Sequence, residues 1–271
     1  MKIIKIKKQG KRYLIELENG TIIKTYGDIL IKYNIPYHKE LDEQMFDKIE
    51  KENFYYDAYN SCLIYISKKL RSEYEVRKYL DKYLINESEK ESIINKLKDL
   101  KLINDNIFAL AFINDKLAFT NNGPYRIKND LLQLKVNDKI VEETLNNIDE
   151  TIYYEKVKKI LDKKLKVKQK YSGNILKQKL ANELKILGYP EYIIYDEINK
   201  INVKGNISKE YDKLYNKLSK KYEGYELEKK LNEKLYALGY TKSDIEKVTH
   251  NWVTFHIVIL LNHKYILNQN Q

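Results

Sequence analysis

The sequence predicts a mainly α-helical protein: an elongated array of tandem three-helix, helix-turn-helix-like repeats with a small N-terminal antiparallel β-hairpin or three-stranded segment. Three observations predict this fold class. Nine glycines and three prolines in 271 residues favour long helices with few irregular loops. An apolar pattern recurs after about 50 residues, which is typical of repeat arrays. The first thirty residues instead alternate apolar and polar side chains, as half-buried strands do.

The N-terminal region, residues 1–53, is predicted to hold the strands and short helices. Alternation places strands at about 2–8, 11–18 and 21–26, with Asn19-Gly20 between the last two. Asn-Gly between alternating runs predicts a hairpin with a type I′ turn, in which both central residues have positive φ. A short helix at "DILIKYN" and another from Asp42 to about Asn53 are expected to follow.

The repeat begins where the periodicity becomes helical. Eight apolar positions from Ile127 to Ile148 return as apolar or aromatic residues 53 positions later, and most keep that character after a further 51. A third amphipathic helix precedes each pair, and these leading helices are expected to begin near Ala58, Ile107, Ile152 and Tyr211. The predicted division is into three-helix repeats 54–104, 105–150, 151–204 and 205–252, followed by a C-terminal tail, 253–271.

A Leu-Gly-Tyr sequence recurs within this period, in "KILGYPEYII" at 185–194 and in "YALGYTKSDI" at 236–245. Both copies fall between the second and third helices of a repeat. Gly188 and Gly239 follow the last apolar residue of a helix, where a left-handed C-cap favours glycine. We therefore interpret the sequence as a structural joint and not as a ligand loop.

No residue set in the chain predicts catalysis. The sequence has no phosphate-binding loop and no dinucleotide motif, and its four histidines lack the partners of a zinc site. We predict a protein that is not an enzyme, with no catalytic, cofactor-binding or metal-binding residues. The single Cys62 and the absence of a signal peptide favour a cytoplasmic location. The longest apolar run, 255–261, is far shorter than the roughly 20 residues that span a bilayer.

The basic residues are more informative. A formal net charge of +11 and a pI of about 9.2 suit a polyanionic partner, and they equally suit a lysine-rich soluble surface. The same two interpretations stay open for a predicted helical stripe opposite Val157, Ile160, Leu161 and Leu165. This stripe consists of Lys156, Lys159, Lys163, Lys166 and Lys170.

The scarce arginines carry a planar, bidentate guanidinium that suits phosphate or carboxylate recognition. In "RSEYEVR", Ser72 and Glu75 predict a capping box, and Arg71 and Arg77 are either helix-start ion-pair residues or contacts for a partner. The partner- or DNA-binding residues that we predict are Arg71, Arg77, Arg126, Lys128, Lys163, Lys164 and Lys168.

The stretch "YISKKLRSEYEVRKYL" resembles the opening module of the RecX family, bacterial regulators of the recombinase RecA. The similarity continues through "LKDLKLINDNIFALAFINDK". The leading segment and the Leu-Gly-Tyr turns are also similar to those of the family. The resemblance therefore covers about residues 1 to 250. Two departures stand out. Asn104 replaces a commonly acidic residue, and residues 114–116 replace a stretch that usually ends in arginine.

The resemblance implies a cytoplasmic, non-enzymatic regulator that takes part in DNA repair, homologous recombination and the SOS response. Its partner would be RecA and the RecA filament on single-stranded DNA, with inhibition as the main effect. Bare single-stranded DNA, and duplex DNA in the same way, would be bound weakly. The resemblance implies no cofactor, no membrane contact and a monomer. The main alternative is a sequence-nonspecific DNA-binding helical-repeat protein without a RecA partner, and an enzyme with a cryptic site ranks last.

Overall fold

A computed structural model describes residues 1–167, 169–201 and 205–249. The chain is mainly helical and carries one three-stranded antiparallel sheet at its N-terminus, which confirms the predicted fold class. Unit 1 is formed by Met1–Asn114 with Asn129–Leu145, and unit 2 by Asp115–Lys128 with the described residues from Asn146 onward. None of the described helices is long and apolar enough to cross a membrane.

The sheet consists of β1 (Ile3–Gln9), β2 (Arg12–Leu17) and β3 (Ile22–Thr25) in that order, which confirms the three predicted strands. Its apolar face packs on α1 (Gly27–Lys32), on a single 3-10 turn (Ile35–Tyr37) and on the start of the next helix. The core of this region consists of Ile15, Leu17, Ile23, Ile29, Leu30, Ile35, Leu41 and Ile49.

The turn between β2 and β3 differs from the prediction. Gly20 has a φ of 83°, but Asn19 is not among the positive-φ residues, so the type I′ prediction is wrong. The amide of Gly20 donates to the carbonyl of Leu17 at 2.9 Å, and the carboxamide oxygen of Asn19 accepts from the amide of Thr21 at 3.1 Å. This geometry is that of a three-residue loop, in which only the last position is left-handed.

The remaining helices follow in groups of three, which we call modules 1 to 4. Module 1 consists of α2 (Glu43–Ser67), α3 (Glu73–Leu80) and α4 (Glu87–Asp99). Module 2 consists of α5 (Asp105–Phe119), α6 (Pro124–Gln133) and α7 (Asp138–Asn146). Module 3 consists of α8 (Thr151–Leu165), α9 (Gly173–Ile186) and α10 (Glu191–Lys200). Module 4 contains α11 (Ile207–Leu218), α12 (Gly224–Ala237) and helical residues 242–249. The predicted tail, 253–271, lies outside the described residues.

Helix α2 is longer than predicted. The helix expected to end near Asn53 and the one expected to begin near Ala58 are a single helix of 25 residues. No glycine or proline lies between the two segments to interrupt it. The side chain of Asp42 caps its start by accepting the amide of Met45 at 2.6 Å. Module 1 therefore shares a continuous helix with the N-terminal region.

The Leu-Gly-Tyr turns are structural joints, as predicted. In unit 2, the carbonyl of Leu187 accepts the amide of Gly123 at 2.7 Å, and the carbonyl of Gly188 accepts the amide of Tyr125 at 3.0 Å. The turn of module 3 thus binds the start of the second helix of module 2. Gly188 has a φ of 88°, in the left-handed region that the C-cap prediction requires.

The same backbone contact recurs once in unit 2, and a side-chain contact takes its place in unit 1. The carbonyl of Leu238 accepts the amide of Ser172 at 2.9 Å, and Gly239 has a φ of 91°. In unit 1, the carbonyl of Leu134 accepts from the hydroxyl of Ser72 at 3.4 Å. Lys135 stands at the glycine position there and has a φ of 56°. Each joint therefore connects the turn of one module to the second helix of the preceding one.

Tyr189 and Tyr240 are the tyrosines of the two Leu-Gly-Tyr turns, and we expect removal of their hydroxyl groups to have opposite effects on stability. The hydroxyl of Tyr189 is buried and has no hydrogen-bond partner in the part of the chain that the structure describes, whereas that of Tyr240 donates to the carbonyl of Lys170 at 2.9 Å. Tyr189→Phe should raise the free energy of unfolding, and Tyr240→Phe should lower it, each by about 1 kcal/mol. Urea denaturation of both variants measures this, and a loss of stability in Tyr189→Phe would contradict it.

Candidate functional site

Arg71 is engaged within module 1. Its guanidinium carbon lies 3.9 Å from the centre of the Tyr65 ring, and its Nη1 donates to Glu75 at 3.1 Å. The side chain is only 14% exposed. Ser72 and Glu75 form the predicted capping box, in which each side chain accepts the other residue's amide at 3.1 Å. The structure therefore shows the helix-start ion pair for Arg71, and its contact with a partner stays a prediction.

Arg77 belongs to an ion-pair network between α3 and α4. It donates to Glu73 at 3.1 Å and to Glu91 at 2.8 Å, and Lys98 reaches Glu73 at 2.6 Å. Burial by itself would raise the pKa of Glu73, but hydrogen bonds from Lys98 and Arg77 outweigh it and hold the pKa below its ordinary value. The guanidinium of Arg77 is one-third exposed, so it remains accessible beside its two carboxylates.

This network lines a hollow of about 620 Å³ on unit 1, between α3, α4 and the start of α5. The carboxylate of Asp105 accepts the amide of Glu73 at 2.9 Å, so module 2 caps the second helix of module 1. Burial raises the pKa of Asp105. Because Glu73 is paired with Arg77 and Lys98, these side chains hold helices together more directly than they offer a site for an ion.

Arg126 is the most accessible of the predicted arginines. Its side chain is exposed and makes no ion pair with the described residues. It lies on α6 beside the joint, where the amide of the preceding Tyr125 donates to Gly188. Lys128, two residues further along the same helix, is half-buried. Of the predicted contacts on unit 2, Arg126 is the guanidinium best placed to meet an incoming acidic group.

Two tyrosines that we did not select from the sequence accompany Arg126. Tyr125 is 56% exposed and Tyr192 is 53% exposed. The hydroxyl of Tyr192 donates to Glu150, which raises the pKa of Tyr192 to about 12, and burial, Tyr154 and Tyr125 add to the shift. We call Tyr125, Arg126 and Tyr192 the joint patch. Tyrosine and arginine are the residue types that dominate protein-binding energies.

The lysine-rich helix α8 presents a shorter basic surface than predicted. Val157, Ile160 and Leu161 are buried, which confirms the apolar side of the helix. The helix ends at Leu165, so the last two lysines of the predicted stripe lie beyond it. The first lysine of the predicted stripe, Lys156, is half-buried and donates to the carbonyls of Leu117 at 2.5 Å and Thr120 at 2.8 Å. The full five-lysine stripe is therefore a wrong prediction.

The predicted contacts on α8 have different environments. Lys163 is exposed. Lys164 forms an ion pair with Glu183 at 2.5 Å, with both side chains nearly half exposed. Lys168 lies outside the described residues. The structure therefore leaves Lys163 as an accessible cation and Lys164 as one that a partner would share with Glu183.

Among the described residues, no three His, Cys, Asp or Glu side chains cluster closely enough to hold a metal ion. Burial raises the pKa of the Cys62 thiol to about 12, so this group is not a nucleophile at neutral pH. Exposed cations and exposed tyrosine rings are among the features that the described surface offers a ligand.

Comparison with known proteins gives concordant matches. The family model for the first three-helix domain of RecX matches residues 58–97. A regulatory protein RecX from Streptococcus pneumoniae (strain Hungary19A-6) is 32% identical over 264 residues, covering 93% of this chain and all of that protein. A regulatory protein RecX from Streptococcus pneumoniae serotype 19F (strain G54) matches with the same identity and coverage.

Two solved structures are also similar. A crystal structure of regulatory protein RecX aligns with a TM-score of 0.64 at 25% identity, over 74% of this chain and 99% of that one. The crystal structure of RecX from Lactobacillus salivarius aligns with a TM-score of 0.50 at 29% identity, over 55% of this chain and 97% of that one. Sequence and structure thus point to one and the same group of proteins.

Proposed function

Because the chain belongs to the RecX family of regulatory proteins, we propose that it binds the recombinase RecA and the filaments that RecA forms on single-stranded DNA. Its effect is inhibition of recombinase activity in DNA repair, homologous recombination and the SOS response. The observation that carries this proposal is the 32% identity to regulatory protein RecX, which extends over the whole of that relative.

The repeat architecture supports binding to a filament. Three-helix modules follow one another at a regular spacing along the sequence. One molecule therefore offers several similar surfaces to a polymer of identical subunits. Weak contacts made by separate modules add through effective concentration. A partner assembled from many copies therefore suits this chain better than a single compact ligand does.

The proposed contacts are the predicted basic residues, with the joint patch as the strongest candidate. An exposed guanidinium next in sequence to the exposed Tyr125, with the exposed Tyr192 near Tyr125, combines charge with rigid aromatic area. We also propose that the protein is a cytoplasmic monomer that acts by binding and not by catalysis. Cys62 is the single cysteine of the chain and forms no disulfide within it, which agrees with a reducing, cytoplasmic location.

The test is a titration of RecA with this protein during ATP hydrolysis on single-stranded DNA. We expect hydrolysis to be suppressed at fewer than one molecule per RecA subunit, because a molecule that blocks a filament affects many subunits. Undiminished hydrolysis at an equal ratio would show that the protein does not inhibit RecA. Tight, steeply salt-dependent binding to bare duplex DNA in its place would favour the alternative of a plain DNA-binding repeat protein.

A triple charge reversal in the same assay tests the contacts. The variant Arg126→Glu, Lys163→Glu, Lys164→Glu is expected to lose inhibition by about tenfold or more, with unchanged helix content. Its control changes the net charge equally at the exposed lysines of module 4, and consists of Lys213→Glu, Lys217→Glu and Lys229→Glu. Equal loss in both variants would mean that net charge, and not the proposed surface, controls binding.

A further inference from the structure

Unit 1 carries a second candidate surface on α2, away from the predicted contacts. Two adjoining hollows of about 620 and 660 Å³ lie along this helix, and both are lined by Tyr56 and Lys96. We call the two together the tyrosine groove. Its aromatic lining consists of Tyr26, Tyr33, Tyr55, Tyr56, Tyr59 and Tyr83.

The helical period explains how the groove arises. Lys48, Tyr55 and Tyr59 are separated by seven and four residues along α2, so they lie along one side of the helix. Ser92 and Lys96 are four residues apart on α4 and both line the first hollow, and Lys96 also lines the second. From Lys48 to the far end of the second hollow, the helix advances about 24 Å at 1.5 Å per residue.

The groove has an excess of unpaired positive charge. Asp57 is neutralised by Arg12, and Glu52 by Lys32. Four lysines of the groove, in contrast, have no acidic partner within the described chain: Lys11, Lys48, Lys51 and Lys96. The remaining carboxylates are those of Asp28 and of Glu89, which accepts the amide of Asn86 at 2.8 Å. Four lysines against these two carboxylates leave the groove with a net positive charge, which favours an anion.

The tyrosine rings are only half-buried, so part of each ring faces the groove. The rings of Tyr26 and Tyr56 are stacked with their centres 5.5 Å apart. The ammonium of Lys96 lies 4.3 Å from the centre of the Tyr59 ring. Cations and aromatic rings thus lie close to one another within the groove.

This combination of lysines and tyrosine rings matches the chemistry of a nucleic-acid strand. Unpaired bases stack on aromatic rings, and the phosphates between them pair with lysines. A duplex keeps its bases stacked inside and would leave the rings unused. An acidic peptide would use the lysines but has no planar groups for the tyrosines.

We propose that the tyrosine groove binds single-stranded DNA, with bases on the tyrosines and phosphates at the unpaired lysines. The inference deepens the proposed function, on which it rests for the choice of DNA, because it gives the weak single-stranded DNA contact a place on the molecule. About seven nucleotides at a stacked spacing of about 3.4 Å fit its length. Binding at this groove does not require RecA.

The test measures anisotropy of a fluorescent oligothymidylate of about twelve nucleotides, without RecA. Lys51→Glu with Lys96→Glu should weaken binding by about tenfold or more. The control, Lys7→Glu with Lys78→Glu, makes the same charge change at exposed sites outside the groove and should stay within about twofold. Equal weakening in the two double variants would overturn the proposal that the oligothymidylate binds at the tyrosine groove.

A tyrosine substitution separates stacking from charge. Tyr59→Leu should weaken binding by about fivefold or more, whereas Tyr59→Phe, which keeps the ring, should bind as the wild type does. Thermal unfolding of each variant verifies that it is folded. An unchanged affinity of folded Tyr59→Leu for the oligothymidylate would show that no base stacks on this ring.

Two competitors and one independent assay complete the test. Displacement of the oligothymidylate by oligoglutamate as effectively as by unlabelled DNA would overturn the proposal in favour of an acidic protein segment. Tighter binding of oligouridylate would assign the groove to RNA. RecA ATP hydrolysis is measured separately on the same proteins. Inhibition of hydrolysis without binding of the oligothymidylate would refute only the proposal that the tyrosine groove binds single-stranded DNA. Binding of the oligothymidylate without inhibition would refute only the proposed function.

Discussion

Gly188→Ala is expected to lower the free energy of unfolding by about 3 kcal/mol or more. A φ of 88° disfavours any residue with a Cβ atom, and a Cβ at this position would lie only 2.5 Å from the backbone nitrogen of Arg126. The contact is with backbone, so it is relieved only by moving module 3 away from the start of α6. The hydrogen bonds to Gly123 and Tyr125 would weaken together.

The control is Gly224→Ala. Gly224 also has a positive φ, 53°, but a Cβ there meets no atom within 4 Å. Gly224→Ala should lower the free energy of unfolding only by the cost of a positive φ for alanine, about 1 kcal/mol. Urea denaturation followed by circular dichroism measures both variants. Equal losses would mean that backbone conformation, and not the close approach of the two modules, makes glycine necessary at the joint.

Ile194→Ala is expected to cost about 2–5 kcal/mol of stability, because Ile194 is fully buried in the core of module 3. The same substitution at Ile186, which is 72% exposed at the end of α9, should change stability by no more than about 0.5 kcal/mol. Both are isoleucine-to-alanine changes in one module, so helix propensity and lost volume are closely matched. Comparable unfolding midpoints would contradict the described packing of α10.

Features determined by neighbouring residues were predictable from the sequence. The capping box of Ser72 and Glu75 is confirmed because its geometry depends on four consecutive residues. Gly188 and Gly239 were recognised because a repeated pattern placed them after equivalent helices. The Asn19-Gly20 turn shows the limit: the dipeptide predicted a turn correctly, but its loop length depends on how the two strands pair.

Features determined by distant residues were missed. The role of Lys156 depends on carbonyls 36 and 39 positions earlier, and that of Asp105 on an amide 32 positions earlier. The joint patch could not be found because Tyr125 and Tyr192 meet only once the joint is formed. A sequence rich in tyrosine for compositional reasons gives no local signal that separates these two from the others.

The joints also bear on how the chain folds and how such proteins change in length. When each joint connects only neighbouring modules, total stability approaches a sum of module terms and nearest-neighbour terms. Folding can then begin in any module and spread to the next. Insertion of one whole period of about 50 residues would present another turn to another helix start, so the joint itself can be repeated as the chain lengthens.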